Sequence, residues 1–441
     1  LRESPEGFDT ASRVSSDGRA EHYAPPGRPG FREGDLTMNP YGAVRISDHV
    51  YWVGAVDWRV RDFHGYATHR GTTYNAYLVV ADKITLVDTV KKPFKDELLS
   101  RIASVVDPAE VSYVISNHSE MDHSGCLPEV VEMVRPERVM ASVMGSKALN
   151  DHFGIGGLVT PVKDGEAVSL GDMNFTFAET KMVHWPDSMV AYLANDGVLF
   201  SQDGFGMHLA TTARFADEVE DWLLDTEAAK YYANILLPLS PLVRKVLERI
   251  QNLGIDIKVL APDHGPIWRK NIERIIGLYA SWAERRPSER AVVVYDTMWG
   301  STEKMAEAVV EGLVAGGVTA SLMPLKSCHR SDVATELLGA GALMVGSPTM
   351  NRNLFPTVAD VLTYLKGLKA ATPLGAAFGS YGWSGEAVAQ VAGMLAEIGI
   401  TELLDSVRAK YVPKPEDIGS CHSLGVDAAR GLKEVCGRGE R

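Results

Sequence analysis

A chain of 441 residues with 45% hydrophobic and 23% charged content has the composition of a soluble globular protein, and its length predicts two or three domains. The formal charge of −13, without any basic stripe, excludes a nucleic-acid footprint and suits an enzyme with small-molecule or protein partners. No run of about 18 uninterrupted apolar residues is available to span a membrane. The four cysteines, Cys126, Cys328, Cys421 and Cys436, make no C-x-x-C pair, which argues against disulfides and thiolate clusters and predicts a reducing, cytoplasmic compartment.

Residues 1–37 are rich in Gly, Pro, Arg, Asp, Glu and Ser, with almost no apolar periodicity and no apolar core of a secretion signal. They predict a disordered or extended arm ahead of a natural start at Met38; an ordered arm wrapping a neighbouring subunit is the alternative. From Val44 the pattern alternates and then runs apolar, predicting strands at 50–56, 74–80 and 84–90. A helix is expected at 94–106 and a buried strand at 111–115.

That strand ends in Ser116-Asn117-His118-Ser119-Glu120-Met121-Asp122-His123-Ser124-Gly125, two histidines and two carboxylates within six residues. Side chains alternate along an extended turn, so His118, Glu120 and Asp122 can converge while Ser119 and Met121 point away. Such a set suits iron, manganese or zinc better than copper(I). The bland reading is a solvated loop opening a helix, with Asp122 or Ser124 as its cap.

Further strands are expected at 138–141, 173–179, 189–194, 197–201 and 259–261, and helices at 218–236, 242–253 and 270–284. His184, Asp203 and His264 each fall in a turn following apolar sequence. Any one alone is more often a hydrogen-bonded loop residue. Together with the first motif they supply four imidazoles and three carboxylates, a number that suits two metals sharing a carboxylate. The expected assignment is His118, Glu120 and His184 on the first metal, Asp122 and His264 on the second, and Asp203 as the bridge.

Arg285-Arg286-Pro287-Ser288 is the expected domain boundary, giving units 38–288 and 289–441. Beyond it strands (291–296, 319–323, 342–346, 374–379, 407–412) alternate with helices (304–315, 332–338, 357–368, 385–395, 425–435), the pattern of an open parallel sheet with helices on both faces. Three strand-end loops stand out. Thr297-Met298-Trp299-Gly300-Ser301-Thr302 precedes a helix and offers hydroxyls and backbone N–H groups to a monophosphate, without the lysine of a triphosphate loop. Ser347-Pro348-Thr349-Met350-Asn351-Arg352-Asn353 and Ser380-Tyr381-Gly382-Trp383-Ser384-Gly385 supply flanks, with Trp299, Tyr381 and Trp383 able to stack on a flat ring. A similar domain that has lost its ligand is the bland alternative.

The metal set resembles the metallo-β-lactamase superfamily, whose hydrolases carry His-x-His-x-Asp-His in the opening position. Here Glu120 replaces the second histidine, which matches the flavodiiron proteins, the A-type flavoproteins of the rubredoxin:oxygen and nitric oxide oxidoreductase family. The segments Trp58 to Tyr66 and Gly71 to Leu78 also look like that family, and the three later loops resemble the FMN loops of flavodoxins. The resemblance implies an α/β protein with an N-terminal metallo-β-lactamase-like αββα sandwich and a C-terminal flavodoxin-like doubly wound parallel sheet. It also implies two non-haem irons and FMN, with His64 and Tyr66 as hydrogen-bond donors to a bound diatomic, and leaves His123 either on or off the metal. His49, His69, His152, His208, His329 and His422 keep a structural or surface reading.

The expected activity is reduction of dioxygen to water, of nitric oxide to nitrous oxide, or of both. With no further redox motif after the last helix, an external donor is expected: rubredoxin first, a deazaflavin second. A head-to-tail homodimer, or a dimer of dimers, would bring one subunit's flavin to the other's metals. The rival readings are a zinc metallohydrolase, such as a thioesterase, fused to a flavodoxin-like module, and an electron shuttle whose first domain is scaffold.

Overall fold

In a computed structural model, which describes residues 41–438, the chain forms two layered units in sequence. The expected arm at 1–37 lies outside the described residues. The first unit holds two facing sheets. One has seven strands, ordered Val44–Arg45, Val50–Trp52, Tyr77–Val79, Thr85–Val87, Tyr113–Ser116, Arg138–Ser142 and Val159–Val162; the other has five, Ala167–Ser169, Asn174–Glu179, Met189–Leu193, Val198–Gln202 and Val259–Pro262.

Alternation along each strand explains the layering. Tyr77, Val79 and Ile115 face inward onto Phe175, Phe177 and Phe200 of the opposite sheet, whereas Leu78 and Val114 face outward onto the helices Lys95–Ala103, Leu127–Val134 and Val143–Phe153. On the far side, helices Asp221–Tyr231, Ser240–Leu253 and Ile272–Glu284 cover the second sheet. The result is the expected αββα sandwich.

The second unit is a parallel sheet in the order Thr319–Pro324, Ser288–Tyr295, Ala340–Gly346, Leu374–Tyr381, with Glu402–Leu403 and Val407–Lys410 both pairing to the last of these. Its helices lie on both faces, so the doubly wound sheet is also as expected. One apolar cluster runs through both units, from Leu236 and Tyr279 to Val333 and Val345, so they pack as neighbours.

Several expected elements differ in extent. The strands expected at 50–56 and 74–80 both break, because the chain bends at Gly54 and Asn75 and a Cβ at Gly54 would collide with the Tyr74 carbonyl. The resulting pieces Ala55–Asp57 and Thr72–Tyr74 pair with each other away from the main sheet. The helix expected at 218–236 is α-helical only over Asp221–Tyr231 and closes in a π-type turn, Tyr232–Leu236, ahead of Pro238. The last helix starts earlier than expected, at Pro415. The helices Leu127–Val134 and Val143–Phe153, which the apolar pattern did not signal, are short and amphipathic.

The helices Ser301–Ala315 and Pro415–Arg438 approach so closely that a Cβ at Gly312 would strike the His422 carbonyl, and one at Gly425 the Val309 carbonyl. Backbone cannot yield as a flexible side chain does, so Gly312→Ala must push the helices apart. The expected loss is roughly 1–3 kcal/mol, read as a lower urea midpoint for the second unit with the first unit's transition unmoved.

Candidate functional site

Four strand ends and a one-turn helix converge at one rim of the sandwich. Tyr113–Ser116 delivers His118 and Glu120, and the helix Met121–Ser124 carries Asp122 and His123. The loop after Asn174–Glu179 brings His184, Val198–Gln202 ends at Asp203, and Val259–Pro262 ends before His264. The Gln202 amide donates to the Val183 carbonyl (2.6 Å), tying the His184 loop to the strand that presents Asp203.

All seven side chains come together, in two groups. In the first, Nε2 of His118 lies 3.3 Å from Glu120 Oε2 and 3.4 Å from Asp203 Oδ2, and Nε2 of His184 lies 3.4 Å and 2.9 Å from the same oxygens. In the second, Asp122 Oδ2 is 3.3 Å from His123 Nε2 and 3.1 Å from His264 Nε2, while Asp203 Oδ1 is 3.3 Å and 3.4 Å from those nitrogens. The two oxygens of Asp203 therefore serve different groups. His123, which the sequence left open, turns its Nε2 into the second.

These separations are the edges of a coordination polyhedron. Bonds of about 2.1 Å set neighbouring ligand atoms roughly 3.0–3.4 Å apart. Both Asp122 oxygens, both His123 nitrogens and Asp203 Oδ1 are buried without a hydrogen bond, although oppositely charged atoms face them. Buried polar atoms aimed together without a hydrogen-bond partner are what a metal would satisfy.

The far nitrogens are held. His118 Nδ1 lies 3.2 Å from Asp187, whose carboxylate also accepts from the Ser119 N–H and hydroxyl at 2.6 Å each. His264 Nδ1 donates to the Thr73 carbonyl (2.6 Å). Asp88 accepts from the backbone and side chain of Asn117 (2.7 and 2.8 Å), fixing the turn into the motif. Asn75 donates to the carbonyls of Pro262 and Gly265 and accepts from Trp52 Nε1, so the break in the strand there anchors the His264 loop. Such partners set tautomer and ring direction.

Electrostatics follow from this packing. Burial alone would lower the His118 pKa, but Asp187 and Glu120 outweigh it and push it up to about 10. Burial likewise opposes charge on His123, yet Asp122 and Asp203 raise its pKa well above the ordinary value. Glu120 and Asp203 are held far below the carboxylate range because their histidine neighbours outweigh desolvation.

Of the expected donors, His64 reaches the group directly, its Nε2 2.6 Å from Glu120 Oε1. Tyr66 is buried, with its hydroxyl unpartnered and its ring 5.5 Å from that of His208. His208, given a structural or surface reading from sequence, is buried beside His264 at 4.5 Å between ring centroids, its Nδ1 2.7 Å from Thr72 Oγ1. Nothing in its local sequence, Gly206-Met207-His208-Leu209, distinguishes it from a core histidine.

The three loops of the second unit surround a cavity of about 310 Å³. Met298, Trp299, Ser301, Pro348, Thr349, Asn351, Arg352, Ser380, Tyr381, Gly382, Trp383 and Ser384 line it, joined by Tyr411 from outside the three loops. Thr297, Gly300, Thr302, Ser347, Asn353 and Gly385 do not line the cavity. Several of them shape its walls: Thr297 Oγ1 accepts from the Gly300 N–H, Thr302 and Ser380 bond through their hydroxyls at 2.9 Å, and Ser347 Oγ accepts from the Phe355 N–H. Trp299 and Trp383 are 92% and 86% exposed, available to a flat ligand or another chain.

Residues 72–265 match the family model described as ODP family beta lactamase, and residues 293–425 match Flavodoxin. The chain is 46% identical over 386 residues to a nitric oxide reductase of Moorella thermoacetica, covering 87% of this chain and 97% of that one. It is 43% identical over 395 residues to a rubredoxin-oxygen oxidoreductase of Megalodesulfovibrio gigas, covering 89% and 98%. The crystal structure of the flavodiiron protein from Giardia intestinalis superposes with a TM-score of 0.85 at 32% identity, covering 90% of this chain and 98% of that one.

The raised histidine pKa values give a signed expectation. In protein stripped with a chelator, protonated His118 contributes stability fully present below pH about 6.5 and lost as pH rises toward 10. Metal uptake must displace such protons, so ferrous affinity rises with pH and binding acidifies an unbuffered solution. Calorimetry in buffers of different ionisation enthalpy measures the protons released; uptake without proton release would contradict the assignment.

Proposed function

The chain belongs to the flavodiiron proteins, oxidoreductases that reduce dioxygen or nitric oxide, and from that premise we propose how its residues divide the work. His118, Glu120 and His184 hold one iron, Asp122, His123 and His264 hold the other, and Asp203 bridges them. The observation that carries this is Asp203, whose Oδ2 faces the first pair of histidines and Oδ1 the second. Glutamate in place of a histidine makes the first site harder, which favours iron over zinc.

FMN would be held in the cavity of the flavodoxin unit, with the backbone N–H groups and hydroxyls at the start of the helix Ser301–Ala315 suited to its phosphate and Trp299, Tyr381 and Trp383 suited to its ring. The metal-holding unit ends at the turn that follows the helix Ile272–Glu284, and the flavin unit begins with the strand Ser288–Tyr295. When bound, two ferrous ions and a two-electron-reduced flavin supply four electrons, as dioxygen needs with four protons to give two waters; two nitric oxides need two electrons and two protons to give nitrous oxide and water.

The chain's own groups orient and shield. Asp187 and Thr73 fix His118 and His264 with Nε2 inward, and the buried rim keeps water from the ligand atoms. His64 holds the free oxygen of Glu120 and stands on the more open side of the site, where a gas would enter.

A head-to-tail homodimer fits the exposed apolar surface. Trp299, Trp383, Met298 and Tyr411 ring the flavin cavity, and Met121 and Met182 are exposed within two residues of iron ligands. Pairing these patches brings one subunit's flavin to the partner's irons. Electrons enter from rubredoxin or a similar small carrier. A cytoplasmic compartment is part of the same proposal, supported by four cysteines that lie far apart in sequence and form no C-x-x-C pair.

Asp203→Ala is expected to reduce bound iron from two per chain to one or none and to lower turnover of either gas about 100-fold or more, while flavin content stays unchanged. Metal analysis, flavin absorbance and consumption of each gas with a rubredoxin donor provide the test. Full iron retention in that variant, or zinc in place of iron in the native protein, would overturn the assignment.

A further inference from the structure

The residue that reaches Glu120 from outside the ligand set stands on the least self-supporting element of the metal unit. Asp62–Phe63 and Tyr66–Ala67 form a hairpin with only two residue pairs, joined by His64 and Gly65 at φ 53° and 74°. Positive φ at both turn positions is the type I′ arrangement, which Gly65 adopts freely and His64 does not. The hairpin belongs to neither sheet. Two strands alone are marginal in water, so its position depends on what touches it.

Inside, the hairpin rests on aromatic contacts. Phe63 stacks on His64 with centroids 4.5 Å apart and lies 4.8 Å from the His208 ring. Outside, it is gripped by the flavin unit. Arg330 Nε and one terminal nitrogen both donate to the Gly65 carbonyl, at 3.2 and 2.9 Å, and the Ala67 N–H donates to Ser331 Oγ at 3.2 Å.

The guanidinium is itself held. Its other terminal nitrogen donates to Asp360 at 2.8 Å, and its carbon lies 5.2 Å above the Tyr364 ring. Tyr364, on the helix Pro356–Gly367, in turn donates to Asn234 Oδ1 (2.7 Å), and Lys230 bonds Asp332 (2.7 Å), so this helix and the helix Arg330–Glu336 are each tied to the metal unit. Charge-assisted bonds to a carbonyl at a turn tip are strong and directional.

We propose that Arg330 is a positioning residue for the metal site: through the Gly65 carbonyl it sets the place of His64, and thereby the hydrogen bond to Glu120. Docking of the flavin unit then becomes a condition for a correctly formed metal site in the same chain. The effect on catalysis rests on the iron assignment above; the effect on the hairpin does not.

The test compares Arg330→Ala, His64→Ala and the double variant as iron- and flavin-loaded full chains. Arg330→Ala is expected to speed amide exchange in residues 62–67 at least about tenfold, with iron and flavin content unchanged. It should lower kcat with either gas about tenfold without changing KM for the donor, and add nothing further in the His64→Ala background. Arg330→Lys, which can make one bond to the same carbonyl, should recover part of both effects, and it is the variant to read should the alanine form not fold.

Unchanged exchange in 62–67 would overturn the proposal whatever the activity. So would rate losses that multiply in the double variant, since Arg330 would then act by another route. Altered exchange together with a chain that binds no iron would instead count against the metal assignment and leave the hairpin contact standing.

Discussion

Three carboxylates, the buried Asp122 and Asp203 and the partly buried Glu120, share one small volume, and this concentration of negative charge is the constraint that the rest of the structure answers. Carboxylates cannot be taken out of water unless cations meet them. The imidazoles of His118, His123 and His184 go some way, their pKa values raised, against the pull of burial, by the carboxylates that face them. Two divalent metals would meet the charge better, because the side-chain atoms already stand at polyhedron-edge distances and several of them have no hydrogen-bond partner.

The cage stays rigid because it is built on strand ends whose polar connections are buried. Asn75 illustrates how much one residue can carry: its amide and the Thr73 hydroxyl hold the Pro262 to Gly265 turn, while Asp88 holds Asn117 across the rim. Asp263 lies behind His123, its Oδ2 3.6 Å from Nδ1 of that ring, and burial together with Asp88 raises its pKa well above normal.

The two-layer folds and the seven side chains that converge at the rim were legible because both rest on short-range pattern. Apolar runs of four to six residues ending in His, Asp or Glu mark buried strands that project into a site, and strict strand-helix alternation past Ser288 marks the parallel sheet. The illegible parts depend on contacts between distant segments. His208 and Thr72 meet only in the fold, 136 residues apart, and no local signal joins them. The breaks at Gly54 and Asn75 interrupt sequence that reads as continuous strand, because the second sheet's loop claims Asn75 for its own carbonyls. His123 sits one residue past the expected alternation; the one-turn helix Met121–Ser124 replaces the extended geometry assumed there and swings its imidazole inward.

The residue that set this chain apart from the hydrolases, Glu120, also explains how a second unit can influence the metals. An imidazole ligand gives one nitrogen to the metal and points the other away. A carboxylate keeps both oxygens close together, so Glu120 can face His118 and His184 with Oε2 while offering Oε1 to His64. The harder ligand that favours iron thus creates a hydrogen-bonding point on the open side of the pocket. A hairpin too small to hold itself occupies that point, and the flavin unit holds the hairpin. Ligand identity and domain arrangement are then linked physically: with histidine at this position, the contact that ties them would have no acceptor.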